Sequence, residues 1–214
     1  MTTCHAGNYQ PGRTEAIRYL AIHYTAGKND TAEENVRYFA ENVVRASAHY
    51  FVDPAGWRQS VDDGDTAWAV GTAGEYVQKH PYCRNGNSLS IELCCLYRDG
   101  AYSFDPRTVE NAAALARALM KKYRIPPENV LRHWDVVSKV CPEPWVRDEA
   151  GWLDFQKRLR EGNAVENDKT PDEWAKEAAQ WAVKNGLMTD GDWNEPLTRE
   201  AAAVILYRFA KKNW

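Results

Sequence analysis

The run Leu89 to Tyr97, LSIELCCLY, sets a carboxylate inside what its residue types predict as the central strand of a sheet. Ile91, Leu93 and Leu96 flank Glu92 and argue for a buried strand, where an ionised carboxylate is costly without a partner. A lone strand glutamate is in general more often solvent-facing or salt-bridged, and only these apolar neighbours weigh against that reading. At a period of two, Ser90, Glu92 and Cys94 share one strand face.

Around this strand the chain alternates helix and strand signals. Ile17 to Tyr24 is a second strand run that breaks at Thr25-Ala26-Gly27, with Tyr19, Ala21 and His23 on one face. Asp30 or Thr31 is placed to cap a helix from about Ala32 to Val44. His49 to Asp53 reads as a short strand, Asp53-Pro54-Ala55-Gly56 as a turn, and Trp57 to Val61 as the returning strand of a hairpin. Residues 62–87, rich in Gly, Asp and aromatic side chains, read as a long functional loop. Asp105-Pro106 opens a helix whose apolar face includes Val109, Ala112, Ala116 and Leu119, and Pro126-Pro127 ends it. A helix from about Asp148 to Arg160 closes a first domain, residues 1–162.

Residues 163–169 turn polar and lose periodicity, as a linker does. Residues 170–214 read as a small helical module. Thr170-Pro171-Asp172-Glu173 is a capping box, Trp174, Ala178 and Trp181 share a face, and Asn185-Gly186 stops the helix. Thr198 caps a second helix in which Ala202, Ile205, Leu206 and Phe209 are expected to face inward.

Three soft or borderline metal ligands end structured runs: His23 in IRYLAIHYTAG, His133 in NVLRHWDV and Cys141 in VSKVCPEPW. Two imidazoles and a thiolate form a zinc set that leaves a fourth position open to water, which a catalytic zinc needs and a structural one does not. Singly, each has a plainer reading. A lone strand histidine is usually a satisfied core or rim residue, and a lone cysteine a small buried hydrophobe. Lys139 lies two residues before Cys141, so in extended chain both side chains point the same way, although an exposed loop lysine is the plain alternative. From the long loop, Trp68, Tyr76 and Asn87 are candidates to face a substrate, and each could equally belong to the core.

In combination, the stretches IHYTAG, SAHYFVD, NSLSIELC, LRHWDV and SKVCPEPW, over about residues 14 to 160, resemble the zinc-dependent N-acetylmuramoyl-L-alanine amidases of the phage-endolysin and autolysin type. These are relatives of the peptidoglycan recognition proteins. The resemblance implies an α/β fold, a mixed central β-sheet flanked by helices, with a shallow wall-binding groove over the zinc. It implies hydrolysis of the amide between the lactyl group of N-acetylmuramic acid and the L-alanine of the stem peptide in bacterial peptidoglycan. By position it makes His23, His133 and Cys141 the Zn2+ ligands, Glu92 the catalytic acid/base and Lys139 the cation near the metal. Two positions depart from the pattern. Ala48 stands where some relatives have Tyr, so Tyr50 is given no catalytic role, and Ala69 stands where many have a groove His. Alternatives of other classes are a non-catalytic peptidoglycan-recognition module of the same fold, disfavoured by the complete ligand set, and a structural zinc domain, disfavoured by the open fourth position.

The string WAKEAAQWAVKNGLMTDGD…NEPLTREAAAVILYRFAK resembles a single S-layer-homology-type repeat, which implies attachment to a secondary cell-wall polymer. A helical hairpin that packs on the catalytic domain or forms a dimer is the alternative. With a net charge of −3 and no basic cluster the chain carries no footprint for nucleic acid, and no run of ~18 apolar residues is present to span a membrane. Five cysteines, an odd number, with Cys94 and Cys95 adjacent on the predicted strand, suit free thiols in a reducing compartment. The first residues show no basic-then-apolar secretory signal. The expectation is therefore an enzyme made in the cytoplasm that reaches the wall after release, as a phage endolysin does.

Overall fold

Apolar strand runs assemble a five-stranded mixed sheet in the computed structural model, which describes residues 2–161, 176–187 and 199–212. Along the first unit come β1 (Tyr9–Gln10), β2 (Tyr19–Tyr24), α1 (Ala32–Glu41), the hairpin of β3 (Tyr50–Asp53) and β4 (Gly56–Gln59), β5 (Thr66–Ala67) and β6 (Ser88–Leu93). Then follow the hairpin of β7 (Leu96–Arg98) and β8 (Ala101–Ser103), α2 (Pro106–Tyr123), β9 (Val130–Arg132), α3 (His133–Val136), α4 (Glu143–Arg147) and α5 (Glu149–Glu161). The main sheet has the order β4-β3-β6-β2-β9, with β4 antiparallel to β3 and the other pairings parallel.

The two faces of the sheet differ in chemistry. Leu20 and Ile22 of β2 and Leu89, Ile91 and Leu93 of β6 point into one core, where Ala116 and Leu119 of α2 and Phe155 of α5 pack on them. Each such aliphatic or aromatic side chain contributes roughly 1.5–3 kcal/mol by leaving water. The opposite face carries Tyr19, Ala21 and His23 beside Ser88, Ser90 and Glu92, their partners in the parallel register. Small and polar residues there leave room for α1 and for the segment between β5 and β6 to lie over the sheet.

Thr31 caps α1 with a capping box closed by Glu34. The helix ends at Glu41 rather than running to Val44. The Asn8 side chain donates to the carbonyls of Phe39 (3.1 Å) and Asn42 (2.7 Å) and accepts from the amides of Val44 (2.7 Å) and Arg45 (2.9 Å), which takes the groups a further turn would need. The central strand is also shorter than expected, since β6 stops at Leu93. The Cys94 amide donates to the Val52 carbonyl at 2.8 Å and the Cys95 amide to Asp30 Oδ1 at 3.0 Å, so the two cysteines link β6 to β7 rather than lying within one strand. All five cysteines are free and buried. On α2, Asp105 caps the start, and the end is set by Arg124 in the left-handed conformation (φ 55°), ahead of the prolines.

The segment 62–87 is pinned at several points. Asp63 is buried and accepts from the hydroxyls of Tyr50 and Tyr123 (both 2.6 Å), from Lys122 Nζ (2.9 Å) and from Gln59 (3.1 Å). β5 pairs with β1, and Gln78 bridges to Val137.

The second unit, Ala164–Trp214, contains α6 (Lys176–Lys184) and α7 (Arg199–Lys212). Beyond α6, Gly186 (φ 61°) and Leu187 donate back to the carbonyls of Val183 and Ala182, a glycine-type stop. The linker 163–169, Trp174 and the capping residues Thr170 and Thr198 lie outside the described residues. The expected inward face of α7 is corrected. Leu206 is 68% exposed and Phe209 45%, and Trp181 on α6 is 51% exposed although its ring centroid is 6.3 Å from that of Phe209. Two short helices offer too little surface to cover their own apolar faces.

Burial alone would raise the Asp63 pKa, but its hydrogen bonds from Tyr123, Tyr50 and Lys122 prevail and hold it below the ordinary 3.8. A depressed carboxyl stabilises the fold fully above its unfolded value and loses that contribution as pH falls through the folded one. Asp63→Ala is expected to cost roughly 2–3 kcal/mol in urea unfolding at pH 7, because two hydroxyls lose their acceptor. The deficit should shrink well below pH 3.8; an equal deficit at both pH values would show that the carboxylate charge is not what stabilises.

Candidate metal centre

Parallel pairing builds the site. In the β2–β6 register His23 lies directly opposite Glu92, and in the β2–β9 register Ile22 lies opposite Arg132, so His133 begins α3 immediately past the end of β9. His23 and His133 therefore emerge at the carboxyl edge of the sheet, where open α/β sheets bind ligands. Cys141 comes from the loop between α3 and α4, and its carbonyl accepts from the Trp134 amide at 2.8 Å. That bond joins the turn bearing one ligand to the loop bearing another.

One nitrogen from each imidazole and Cys141 Sγ lie within 4.8 Å of one another, all three residues buried. Cys141 Sγ is 3.7 Å from His23 Nδ1, and the two imidazole centroids are 4.5 Å apart. Tetrahedral Zn–S and Zn–N bonds place sulfur and nitrogen about 3.6 Å apart, so the trio is spaced to share one ion. Glu92 Oε1 is 3.9 Å from His23 Nδ1.

Unpaired polar atoms mark the same point. Among the described residues, six buried side-chain nitrogens and oxygens lack a hydrogen-bond partner, and four of them are His23 Nε2, both ring nitrogens of His133, and Glu92 Oε2. Buried polar atoms are ordinarily satisfied, and a concentration of orphans is what a cation and its water would resolve. Burial and the charges of His133 and Lys139 push the His23 pKa well below its usual value, and burial with Lys139 lowers that of His133 to about 4. Both imidazoles are thus neutral, the form that ligates metal. Burial pushes the Glu92 carboxyl up to about 8 against the pull of Lys139, and burial with the Glu92 charge raises the Cys141 thiol. A divalent cation among these groups reverses the balance for thiol and carboxyl while keeping the imidazoles as they are.

Lys139 is half-buried, its Nζ 5.9 Å from the centroid of Tyr76. Tyr76 packs against the cluster of Tyr19, Val136 and Val137, so the long segment meets the sheet beside the lysine. Trp68 is half-buried and pairs its backbone with Ser47, towards the amino end of β3. Asn87 does not belong to the site. It is buried at the amino end of β6, where its side chain donates to the Tyr82 carbonyl (3.0 Å) and Glu15 (3.3 Å) and accepts from the Arg84 amide (2.8 Å). Those bonds fasten the loop and leave nothing for a substrate. Two alanines noted in sequence are packing residues: Ala48 beside Phe51 and Cys94, Ala69 against the Tyr76 cluster. Asp135 also belongs to the site's support, because its carboxylate closes the turn that carries His133; its signal in the sequence is an acid three residues after the capping position Arg132.

A family model described as N-acetylmuramoyl-L-alanine amidase matches residues 13–144. The chain is 31% identical over 157 residues to the N-acetylmuramoyl-L-alanine amidase CwlL of Bacillus licheniformis, covering 70% of this chain and 43% of that one. It is 32% identical over 164 residues to the N-acetylmuramoyl-L-alanine amidase BlyA of Bacillus subtilis (strain 168), covering 71% and 43%. It thus spans less than half the length of these curated relatives. Among solved structures, a mutant of PlyL superposes with a TM-score of 0.60 at 28% identity, covering 72% of this chain and 90% of that one. The PlyG catalytic domain does so with 0.58 at 27%, covering 75% and 91%.

Metal analysis of the purified protein is expected to find about one divalent ion per chain, falling sharply in His133→Ala, because two remaining ligands hold zinc weakly. Full occupancy in that variant would remove His133 from the site.

Proposed function

Because the chain belongs to the N-acetylmuramoyl-L-alanine amidase family, we propose that it is a zinc hydrolase that cleaves the amide between N-acetylmuramic acid and L-alanine in peptidoglycan, acting as an endolysin or autolysin. The observation that carries this reading is the buried His23, His133 and Cys141 trio beside Glu92, whose Oε2 is buried without a hydrogen-bond partner. Bound zinc supplies Lewis acidity, which polarises an amide carbonyl and acidifies water within its reach.

An amide resists hydrolysis because its carbonyl is a weak electrophile and its amine a poor leaving group. Glu92, at the carboxyl edge, takes the proton of the attacking water and returns it to the leaving nitrogen, the task of a general acid/base. Lys139 faces the negative charge that gathers on the carbonyl oxygen, and it keeps that role in a water-poor site where a fixed charge is most effective. Tyr76, packed beside Lys139, is our candidate for a side chain that meets the substrate. Trp68 remains a candidate for the groove floor on its aromatic surface alone.

The rival reading, a recognition module without turnover, has no use for a carboxylate with an orphaned buried oxygen beside a complete ligand set. For the second unit the reading is attachment to a secondary wall polymer, supported by the exposed apolar side chains Trp181, Leu206 and Tyr207.

Glu92→Gln is expected to fold, keep zinc and lose about 10²–10⁴-fold in release of L-alanine amino termini from purified wall. Near-normal release would make Glu92 structural. In the same assay Lys139→Ala should lower kcat more than it raises KM, and an effect confined to KM would make Lys139 a substrate-binding residue. A chain ending at residue 162 should hydrolyse soluble muropeptides normally yet sediment less with intact walls. Undiminished sedimentation would sink the anchoring role.

A further inference from the structure

Arg132 stands one residue before His133, opposite Ile22, which itself stands one residue before His23. Strand alternation turns its side chain to the sheet face away from the metal ligands. There the guanidinium is buried and makes four hydrogen bonds. Nε and Nη2 donate to the two carboxylate oxygens of Asp135 (3.1 and 3.0 Å), while Nη1 donates to the Trp145 carbonyl (3.0 Å) and to Glu149 Oε2 (2.6 Å). The group also lies 5.3 Å from the ring centroid of Trp152 on α5.

These partners have one thing in common. Asp135 lies in α3, the single turn that begins with His133, and it also accepts from the Arg132 amide at 2.9 Å. One turn of helix is too short to hold itself, since nucleation fixes several residues for one hydrogen bond. Trp145 lies in α4, which starts two residues after Cys141, and Glu149 begins α5. A single planar cation therefore joins the turn carrying one ligand to the helix following another, with α5 as the fixed post. We propose that Arg132 is a positioning residue, a clamp beneath the sheet edge that holds His133 and Cys141 at metal-binding separation.

The proposal rests on the zinc reading of the site and adds to it a cause for the ligand spacing. Lysine would not serve equally, because an ammonium cannot fork across Asp135 while also reaching Trp145. Residues that orient metal ligands from behind typically change metal affinity by about 10–100-fold when removed.

The test uses the zinc-loaded full chain titrated with a competing chelating dye, together with the absorption spectrum of the cobalt-substituted protein. Arg132→Met is expected to weaken zinc binding about 10–100-fold and to alter the cobalt–thiolate bands, with Arg132→Lys intermediate. Val61→Ala, a buried change in a cluster remote from the clamp, lowers the melting temperature but should leave zinc affinity and spectrum unchanged, which separates positioning from stability. Should Arg132→Met not fold, Asp135→Asn opens the same clamp from its half-exposed side and is expected to show the same losses. Wild-type affinity and spectrum in the folded clamp variants would overturn the proposal. A wild-type chain that binds neither zinc nor cobalt would defeat the zinc reading itself.

Discussion

Parallel strands bring residues distant in sequence side by side at one register only, and slipping by one residue turns every side chain to the other face. In this chain the β2–β6 register sets His23 against Glu92, and the β2–β9 register releases the chain at His133. The apolar core beneath holds that register, because Leu20, Ile22, Leu89 and Ile91 reach it only when the partners are as observed. A slip would bury Glu92 among those residues and expose them instead. The chemistry of the site therefore depends on the packing of the opposite face.

Burial gives the same site its electrical character. Removed from water, the imidazoles stay neutral while the thiol and carboxyl resist ionisation, and Lys139 supplies positive charge that counters only part of that resistance. Such a cluster has little reason to exist in a chain whose only interest is stability. Its unpaired atoms cost the fold, and they are concentrated where three sequence-distant segments converge.

Much of this was legible in the residues. The strand run at 17–24, the first part of the one at 89–97, the capped helix after Thr31, and the Asp105-Pro106 helix start all follow from local chemistry, and they recur in the structure. The ligands were legible as types, but their convergence was not, because spacing along the chain says nothing about which strand lies beside which. Boundaries failed where a distant side chain intervened. Asn8 ends α1 early, and Asp30 takes the Cys95 amide past the end of β6. Asn87 looked like a groove residue because the loop it closes is polar and glycine-rich. Its amide belongs instead to that loop's own hydrogen bonds. Arg132 and Asp135 drew no notice, since each reads as an ordinary surface charge until the fold places Trp145 and Glu149 around the guanidinium.

The amide of Asn8 carries a further consequence. It lies before residue 13, where the match to the family begins, yet its side chain closes the end of α1 and its carbonyl accepts from Ser47 at 2.8 Å, just ahead of β3. Thr3 and Cys4 likewise donate to the Ser60 carbonyl beyond β4. The opening residues thus behave as an internal strap across the helix and the hairpin rather than as a tail. The unit that folds is longer than the stretch the family model matches, and a fragment cut to residues 13–144 would lose these contacts.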